Sequence, residues 1–65
     1  MEDTIGEVAG EVYEYLDDNG QASVSGVTKA VDYPGTKVYM AMGWLAREGN
    51  LEFIDKKRGN AVRLR

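Results

Sequence analysis

Residues 35–49 read GTKVYMAMGWLAREG, and the helix that this stretch predicts organises the rest of the chain. Thr36 is a suitable N-cap, since its hydroxyl can accept a hydrogen bond from the first helical turn. Gly49 is a typical left-handed stop, and Pro34 with Gly35 breaks the preceding element. The stretch therefore predicts a helix of about three and a half turns, at 3.6 residues per turn.

At about 100° per residue, this helix separates an apolar arc from a mixed one. The arc that should face a core consists of Val38, Ala41, Met42, Leu45 and Ala46. The opposite arc consists of Thr36, Lys37, Met40, Gly43, Trp44 and Arg47. A basic and aromatic outer face, on a helix between a short helix and a hairpin, indicates the second helix of a helix-turn-helix.

The N-terminal segment predicts an amphipathic helix whose outer side is acidic. Thr4 and Glu7 fit a capping box, and Asn19-Gly20 should end the helix. Apolar side chains recur at helical spacing at Ile5, Val8, Ala9, Val12, Tyr13 and Leu16. The outer side carries Glu7, Glu11, Glu14 and Asp18. We interpret this side as a solvated surface, with a docking face for a basic partner as the alternative.

A short strand and a weak helix are predicted next. Gln21 and Ala22 can form a brief extended segment, and Ser23 then caps a second helix of two turns or so. Its inner side consists of Val24, Val27, Ala30 and Val31. A glycine and several β-branched residues make this helix intrinsically weak, so packing must hold it. Residues 32–35 predict a turn, because a proline keeps the residue before it out of helical conformation.

After the third helix the hydrophobic period changes from 3.6 to 2. Leu51 and Phe53 alternate with polar residues, and so do Val62 and Leu64. This pattern predicts two antiparallel strands, each with one buried face. Residues 55–60 form a polar loop between the strands, with a Gly-Asn turn signal.

The order of elements is that of an α+β winged helix-turn-helix, and we expect residues 1–65 to form one such domain. The run VYMAMGWLAREG at 38–49, followed by NLEF at 50–53, resembles a family of small stand-alone prokaryotic winged-helix proteins. The segment GWLARE is the most specific part, and the resemblance covers nearly the whole chain. That family is defined by its fold. The resemblance therefore implies DNA binding only by analogy, since a fold does not fix a function.

Charge is unevenly distributed along the 65 residues, whose net charge is −3. Residues 1–28 contain seven acidic residues and no Lys or Arg, which gives −7. Residues 29–65 contain eight basic residues against four acidic ones, which gives +4. The negative total argues against nucleic acid, but the polarised distribution leaves a basic part that can meet phosphates.

Catalysis and metal binding find little support in the composition. The chain contains no histidine and no cysteine, and it lacks the glycine-rich phosphate loops. We therefore expect no enzyme activity, cofactor, metal or small-molecule ligand. No run approaches the roughly 18 apolar residues of a membrane span, and the N-terminus lacks a secretion pattern, so we expect a cytoplasmic protein. A monomer of this size is feasible, and a homodimer would add stability.

The leading functional interpretation is a DNA-binding domain of the transcription-regulator type. In a winged helix, the third helix enters the major groove and the hairpin approaches the backbone. The candidate contacts are Thr36, Lys37, Met40, Arg47, Lys56, Lys57, Arg58 and Arg63, with Lys29 as a further basic residue. Residues 56–58 lie at the hairpin tip, where phosphates are within reach. Solvation alone explains a lysine-rich loop equally well.

Trp44 is the residue on which the alternative interpretation depends. If it packs under the hairpin or on the first helix, it belongs to the core. If it is exposed together with Met40, with Tyr39 beside them, the three make an apolar patch typical of protein interfaces. The alternative function is therefore a protein-interaction or self-association module that keeps the fold and does not bind DNA.

Overall fold

The computed structural model describes residues 2–56 and 59–65. The elements in chain order are α1 (Glu2–Asn19), β1 (Gln21–Ser23), α2 (Val24–Ala30), α3 (Gly35–Arg47), β2 (Leu51–Lys56) and β3 (Gly59–Leu64). The strands pair antiparallel in the order β1-β3-β2. This confirms the α+β winged helix-turn-helix, including the short strand predicted after the first helix.

Helix α1 begins earlier than its sequence signal predicts. It starts at Glu2, so Thr4 lies inside the helix and the predicted capping box is wrong. The predicted end is confirmed, since Gly20 has a φ of 80° and its N–H donates to the carbonyl of Leu16 at 2.7 Å. On the inner side Val8, Ala9, Val12 and Leu16 are buried.

Tyr13 is the exception on this helix, because it was expected in the apolar stripe and is 45 % exposed. The half-buried Tyr15 packs against the core instead. Both tyrosines flank the stripe centred on Val12 and Leu16. The neighbouring elements, and not the helical period, decide which flank is covered.

Helix α2 is capped as the sequence predicts. The Oγ of Ser23 accepts a hydrogen bond from the N–H of Gly26 at 2.9 Å. Val27 and Val31 are buried in the core, whereas Ala30 was expected inside and is exposed. The helix is only seven residues long and contributes the buried Val27 and the partly buried Val24 to the core, while Val31 follows as its C-cap.

Helix α3 begins one residue before its predicted cap. The N–H groups of Lys37 and Val38 donate to the carbonyl of Pro34 at 2.9 and 3.1 Å, so Pro34 is the N-cap. Thr36 lies in the first turn, and its assignment as N-cap is wrong. The rigid, extended proline already sets the backbone at the helix start, without a side-chain hydrogen bond.

The end of α3 follows a common helix-stop geometry. Gly49 has a φ of 79°, as predicted, and the N–H of Asn50 donates to the carbonyl of Leu45 at 2.9 Å. The N–H of Gly49 donates to the carbonyl of Ala46 at 3.1 Å, which completes a Schellman motif. This tight turn carries the chain directly from α3 into β2.

The buried arc of α3 joins α1, α2 and the sheet in one core. Val38, Ala41, Met42 and Leu45 are buried, as predicted, and Ala46 is half-buried. They form one cluster with the inner residues of α1 and with the valines of α2. Strands β2 and β3 contribute Leu51 and Val62 to the same cluster. Since α1 and α3 both turn their apolar sides to this core, their outer faces point away from each other.

The hairpin differs from its prediction in two respects. Phe53 pairs with Val62 across the strands, but it is 50 % exposed and not buried. Phe53 lies on the edge strand β2, whereas its partner Val62 lies on the central strand β3 and is fully buried in the core. The strands also continue to Lys56 and Gly59, so the predicted six-residue loop is wrong. Residues 57 and 58 lie outside the described part of the chain.

Candidate functional site

The outer face of α3 is the most unusual surface of the described chain. Tyr39, Met40 and Trp44 are 56, 51 and 46 % exposed. Side chains three or four residues apart are neighbours on a helix, so Met40 and Trp44 lie next to each other. The interpretation of Trp44 as a core residue is therefore wrong. The three side chains form an exposed surface, which we call the α3 patch.

Gly43 lies in the middle of the α3 patch. It is one helical turn from Tyr39, Met40 and Arg47 and adjacent to Trp44 along the chain. Apart from its two chain neighbours and the backbone of its own helix, no atom of the described residues lies within 4 Å of the place that a Cβ would take. A glycine inside a helix costs about 1 kcal/mol relative to alanine. Packing within the described chain does not explain this glycine, and the same holds for Gly6 and Gly10 on α1.

Polar groups flank the α3 patch at the two ends of the helix. Thr36 is exposed and Lys37 is half-buried in the first turn. Arg47 is exposed in the last turn, and the adjacent C-cap residue Glu48 is exposed as well. Hydrogen-bonding side chains are therefore available at both ends of α3, while the middle offers aromatic rings, a thioether and bare backbone.

Arg63 lies apart from these groups. Its neighbours Val62 and Leu64 face the core, so alternation along the strand directs Arg63 to the opposite side of the sheet. There its Nε donates to Oε2 of Glu52 on the adjacent strand at 2.9 Å. The structure thus does not bring Arg63 together with the exposed face of α3. The further basic residue Lys29 is exposed on α2.

The hairpin tip is described only in part. Lys56 is the last residue of β2 and pairs with Gly59. Lys57 and Arg58, the other two members of the predicted basic tip, lie outside the described residues.

The outer face of α1 is acidic over most of its length. Glu7, Glu11 and Glu14 are exposed, as predicted. The hydroxyl of Tyr33, in the turn before α3, donates to Oε2 of Glu7 at 3.3 Å. Partial burial raises the pKa of the Tyr33 phenol, and the negative charges of Glu7 and Glu11 raise that pKa further. This contact joins the acidic face to the α2–α3 turn, and sequence patterns gave no signal for it.

Other kinds of site have little basis in the described residues. Within 2–56 and 59–65, no group of three or more acidic side chains is arranged to hold a metal ion. None of the helices formed by this part of the chain is long and apolar enough to cross a membrane.

Comparisons with known proteins agree with this architecture. The family model of the winged helix-turn-helix domain DUF2582 matches residues 1–64. The uncharacterised protein MJ1608 of Methanocaldococcus jannaschii is 41 % identical over 58 residues, which are 82 % of this chain and 81 % of that protein.

Two solved structures have closely similar folds. Protein BT2368 from Bacteroides thetaiotaomicron has a TM-score of 0.85 at 25 % identity, over 98 % of this chain and 79 % of that one. The Zalpha domain of PKZ from Carassius auratus, solved in complex with Z-DNA, has a TM-score of 0.82 at 13 % identity. That match covers 94 % of this chain and 97 % of the Zalpha chain, and at such low identity the similarity concerns the fold alone.

Proposed function

We propose that this chain, which belongs to the winged helix-turn-helix family DUF2582, is a DNA-binding domain of the transcription-regulator type. The observation that supports this most is the separation of charge. Seven acidic residues and no basic ones lie in residues 1–28, whereas all eight basic residues follow them. Because α1 and α3 turn their apolar sides to the same core, most carboxylates of α1 lie away from the outer face of α3, and Glu7, which accepts from Tyr33 in the turn before α3, is the exception.

The proposed contacts lie at the start of α3 and at the hairpin tip. Thr36 and Lys37 are in the first turn, where backbone N–H groups and the helix dipole also favour phosphate. Residues 56–58 would add up to three phosphate contacts, and Arg47 one more at the other end of α3. We leave Arg63 out, since it is paired with Glu52 on the other side of the sheet.

The apolar middle of α3 suggests limited reading of base sequence. Bases are distinguished in the major groove mainly by hydrogen bonds from Arg, Lys, Asn or Gln. Met40, Gly43 and Trp44 offer few such groups, and a methionine or aromatic ring contributes mainly apolar contact. We therefore expect affinity to come chiefly from phosphates. The domain would supply binding and no chemistry, with residues 1–65 acting as one unit.

Titration with a mixed-sequence duplex at several salt concentrations tests this proposal. Binding through phosphates predicts that log K falls linearly with log salt, with a slope of about −0.9 for each phosphate bound. Backbone amide shifts should concentrate in α3 and around residues 55–60. Absence of binding at low salt, or shifts confined to α1, would contradict the proposal.

A second candidate function, protein interaction, is favoured by the α3 patch. Aromatic residues, methionine and arginine are enriched in the buried centres of protein interfaces, where other charges are depleted. Tyr39, Met40, Trp44 and Arg47 match this composition, and all four are exposed on α3, with Met40 and Trp44 one turn apart. Amide shifts that depend on protein concentration, in the absence of DNA, would support this function.

A further inference from the structure

We propose that α3 binds unpaired bases, so that the preferred ligand is single-stranded DNA, with Trp44 as the residue on which a base stacks. This inference rests on the proposed DNA-binding function, in which α3 meets the nucleic acid. It adds the form of the DNA, the residue that holds a base and the charged groups on either side of that residue.

Four side chains form a continuous row along α3. Lys37, Met40, Trp44 and Arg47 follow one another at spacings of three, four and three residues, and side chains at such spacings are neighbours on a helix. Met40, Trp44 and Arg47 are exposed, and Lys37 is half-buried. The row rises by about 15 Å from its first member to its last, at 1.5 Å per residue. We call these four residues the basic–aromatic row.

Charge selects a polyanion as the occupant of the basic–aromatic row. Both ends of the row are cations, and the 13 residues of α3 include no carboxylate. Helix α1, by contrast, carries seven carboxylates and no basic residue. The carboxylate nearest to Trp44 along the chain is that of the C-cap residue Glu48, one turn later. Phosphates that meet Lys37 and Arg47 bring the base between them to Trp44, and cations combined with an aromatic ring are typical of single-strand binding.

The middle of the row selects unpaired bases over a closed duplex. In a duplex the faces of the bases are covered by their neighbours, and the edges are read mainly by hydrogen bonds. Met40 carries no hydrogen-bond donor, and Trp44 carries only its indole N–H. An exposed indole can instead stack on the face of any of the four bases once that base is unstacked from its neighbours. The row is therefore suited to a strand whose bases are free.

Tyr39 is a second exposed aromatic residue of α3, and it lies outside the row. It precedes Trp44 by five residues, which places the two side chains about 140° apart around the helix, at 100° per residue. A strand that follows the row therefore does not stack on both rings. Tyr39 provides a matched control on the same helix.

The full chain can be titrated with a short single strand of mixed sequence and, separately, with the duplex of the same sequence. Trp44 is the single tryptophan of the chain, so its fluorescence reports on the row. The proposal predicts tighter binding of the single strand at equal salt, with quenching of the tryptophan emission as a base stacks on the indole. An RNA strand of the same sequence is a second source of unpaired bases, and tighter binding of the RNA would overturn DNA as the ligand.

Substitutions separate stacking from charge. Trp44→Ala should weaken single-strand binding at least about fivefold, whereas Trp44→Phe keeps a ring and should recover most of the affinity. The loss in Trp44→Ala should be the same at two salt concentrations, since no charge is removed. Arg47→Gln should instead make the slope of log K against log salt shallower by about 0.7. Tyr39→Ala should bind as the parent does, and amide spectra verify that each variant is folded.

The possible failures are separable. Duplex binding that equals or exceeds single-strand binding overturns this inference and leaves the DNA-binding proposal standing, whereas absence of binding by either form overturns both. Single-strand binding that Tyr39→Ala weakens as much as Trp44→Ala overturns the row as the site. A change in Trp44 emission with protein concentration alone, without DNA, shows a protein on the row and overturns nucleic acid as its occupant.

Discussion

Helices α1 and α3 have similar inner faces and very different outer faces. Each contributes buried apolar side chains to the same core, and they pack against each other through it. Outside, α1 shows mainly carboxylates to water, together with one tyrosine and two glycines, whereas α3 shows two aromatic rings and a methionine. Folding and solubility account for the surface of α1. They do not account for that of α3, so this surface is where a binding function is expected.

Helix α1 also exposes an aromatic residue, so exposure of a single aromatic ring cannot separate the two outer faces. Tyr13 is 45 % exposed, nearly the same as Trp44 at 46 %. Its exposed neighbours Glu14 and Asp17 are carboxylates, and singly scattered apolar residues are normal on protein surfaces. Exposure of one aromatic side chain is therefore not the distinguishing feature. What distinguishes α3 is that it exposes three large apolar side chains within six residues, two of them, Met40 and Trp44, next to each other.

The largest expected effect comes from the core that both helices share. Leu45 is 6 % exposed and lies among the buried residues of α3. Leu45→Ala should lower the free energy of unfolding by roughly 2–5 kcal/mol, because it removes buried methyl groups and leaves a cavity. For so small a domain this is a large fraction of the total stability. Thermal unfolding followed by circular dichroism measures the loss. A melting temperature within a degree or two of the parent would place Leu45 outside the core.

Next in size is the effect of removing the tryptophan from the α3 patch. Trp44→Ser should leave the chain folded and, if the α3 patch is a protein interface, weaken self-association by about 2 kcal/mol or more, as expected for an aromatic anchor. Tyr13→Ser on α1 is the matched control, and it should leave self-association unchanged. Sedimentation and amide spectra of both variants provide the comparison. Equal losses in the two variants would mean that the outer faces do not differ in function, and unfolding of Trp44→Ser would return that residue to the core.

The hairpin tip gives a smaller effect, limited to nucleic acid. Changing Lys56, Lys57 and Arg58 together to Gln should alter stability little if the basic tip is a surface element as predicted, since surface substitutions usually stay within about 0.5 kcal/mol. If the tip binds phosphates, duplex affinity should fall for every sequence. The slope of log K against log salt should also become shallower by about 0.9 for each phosphate that the variant no longer binds. An unchanged slope would rule out the hairpin as a DNA-binding element, while any self-association through α3 should be the same as in the parent.

Much of the fold was predictable because its signals are local or periodic. The helical period identified the buried arc of α3, and the change to a period of 2 located the hairpin. Helix starts were less certain, since Thr4 and Thr36 each fit a capping rule that the backbone did not use. Capping rules state which residue types can cap a helix, and they do not decide which residue caps it in a given fold. The actual start of α3 depends on the proline before it.

The candidate site was only partly predictable, because exposure depends on distant parts of the chain. Periodicity placed Trp44 on the outer arc, but only the packing of the other elements shows that nearly half of its surface stays exposed. The predicted burial of Phe53 and of Tyr13 was wrong for the same reason, since an apolar residue at the edge of a stripe can be covered or left exposed. The pairing of Arg63 with Glu52 required the strand register, which a sequence alone does not supply.

The smallest effect is expected on the acidic face. Changing Glu7, Glu11 and Glu14 together to Gln removes three exposed charges and should leave the fold intact. If DNA is the ligand, weaker repulsion should raise its affinity slightly and without regard to sequence, by an amount that falls with added salt. Fluorescence anisotropy at two salt concentrations measures this change.

The same variant contains an internal check on the local structure of α1. The charges of Glu7 and Glu11 help to raise the pKa of Tyr33, so this pKa should fall in the variant, although the part due to burial remains. In the parent, the raised pKa favours the neutral phenol in the folded state. Its contribution to stability is therefore complete below the pKa of the unfolded chain and is lost as the pH rises through the higher folded value. A tyrosine titration followed by NMR measures the shift. A falling Tyr33 pKa together with a large, sequence-dependent loss of DNA affinity would show that α1 faces the ligand, and the contrast between the two helices would then be reversed.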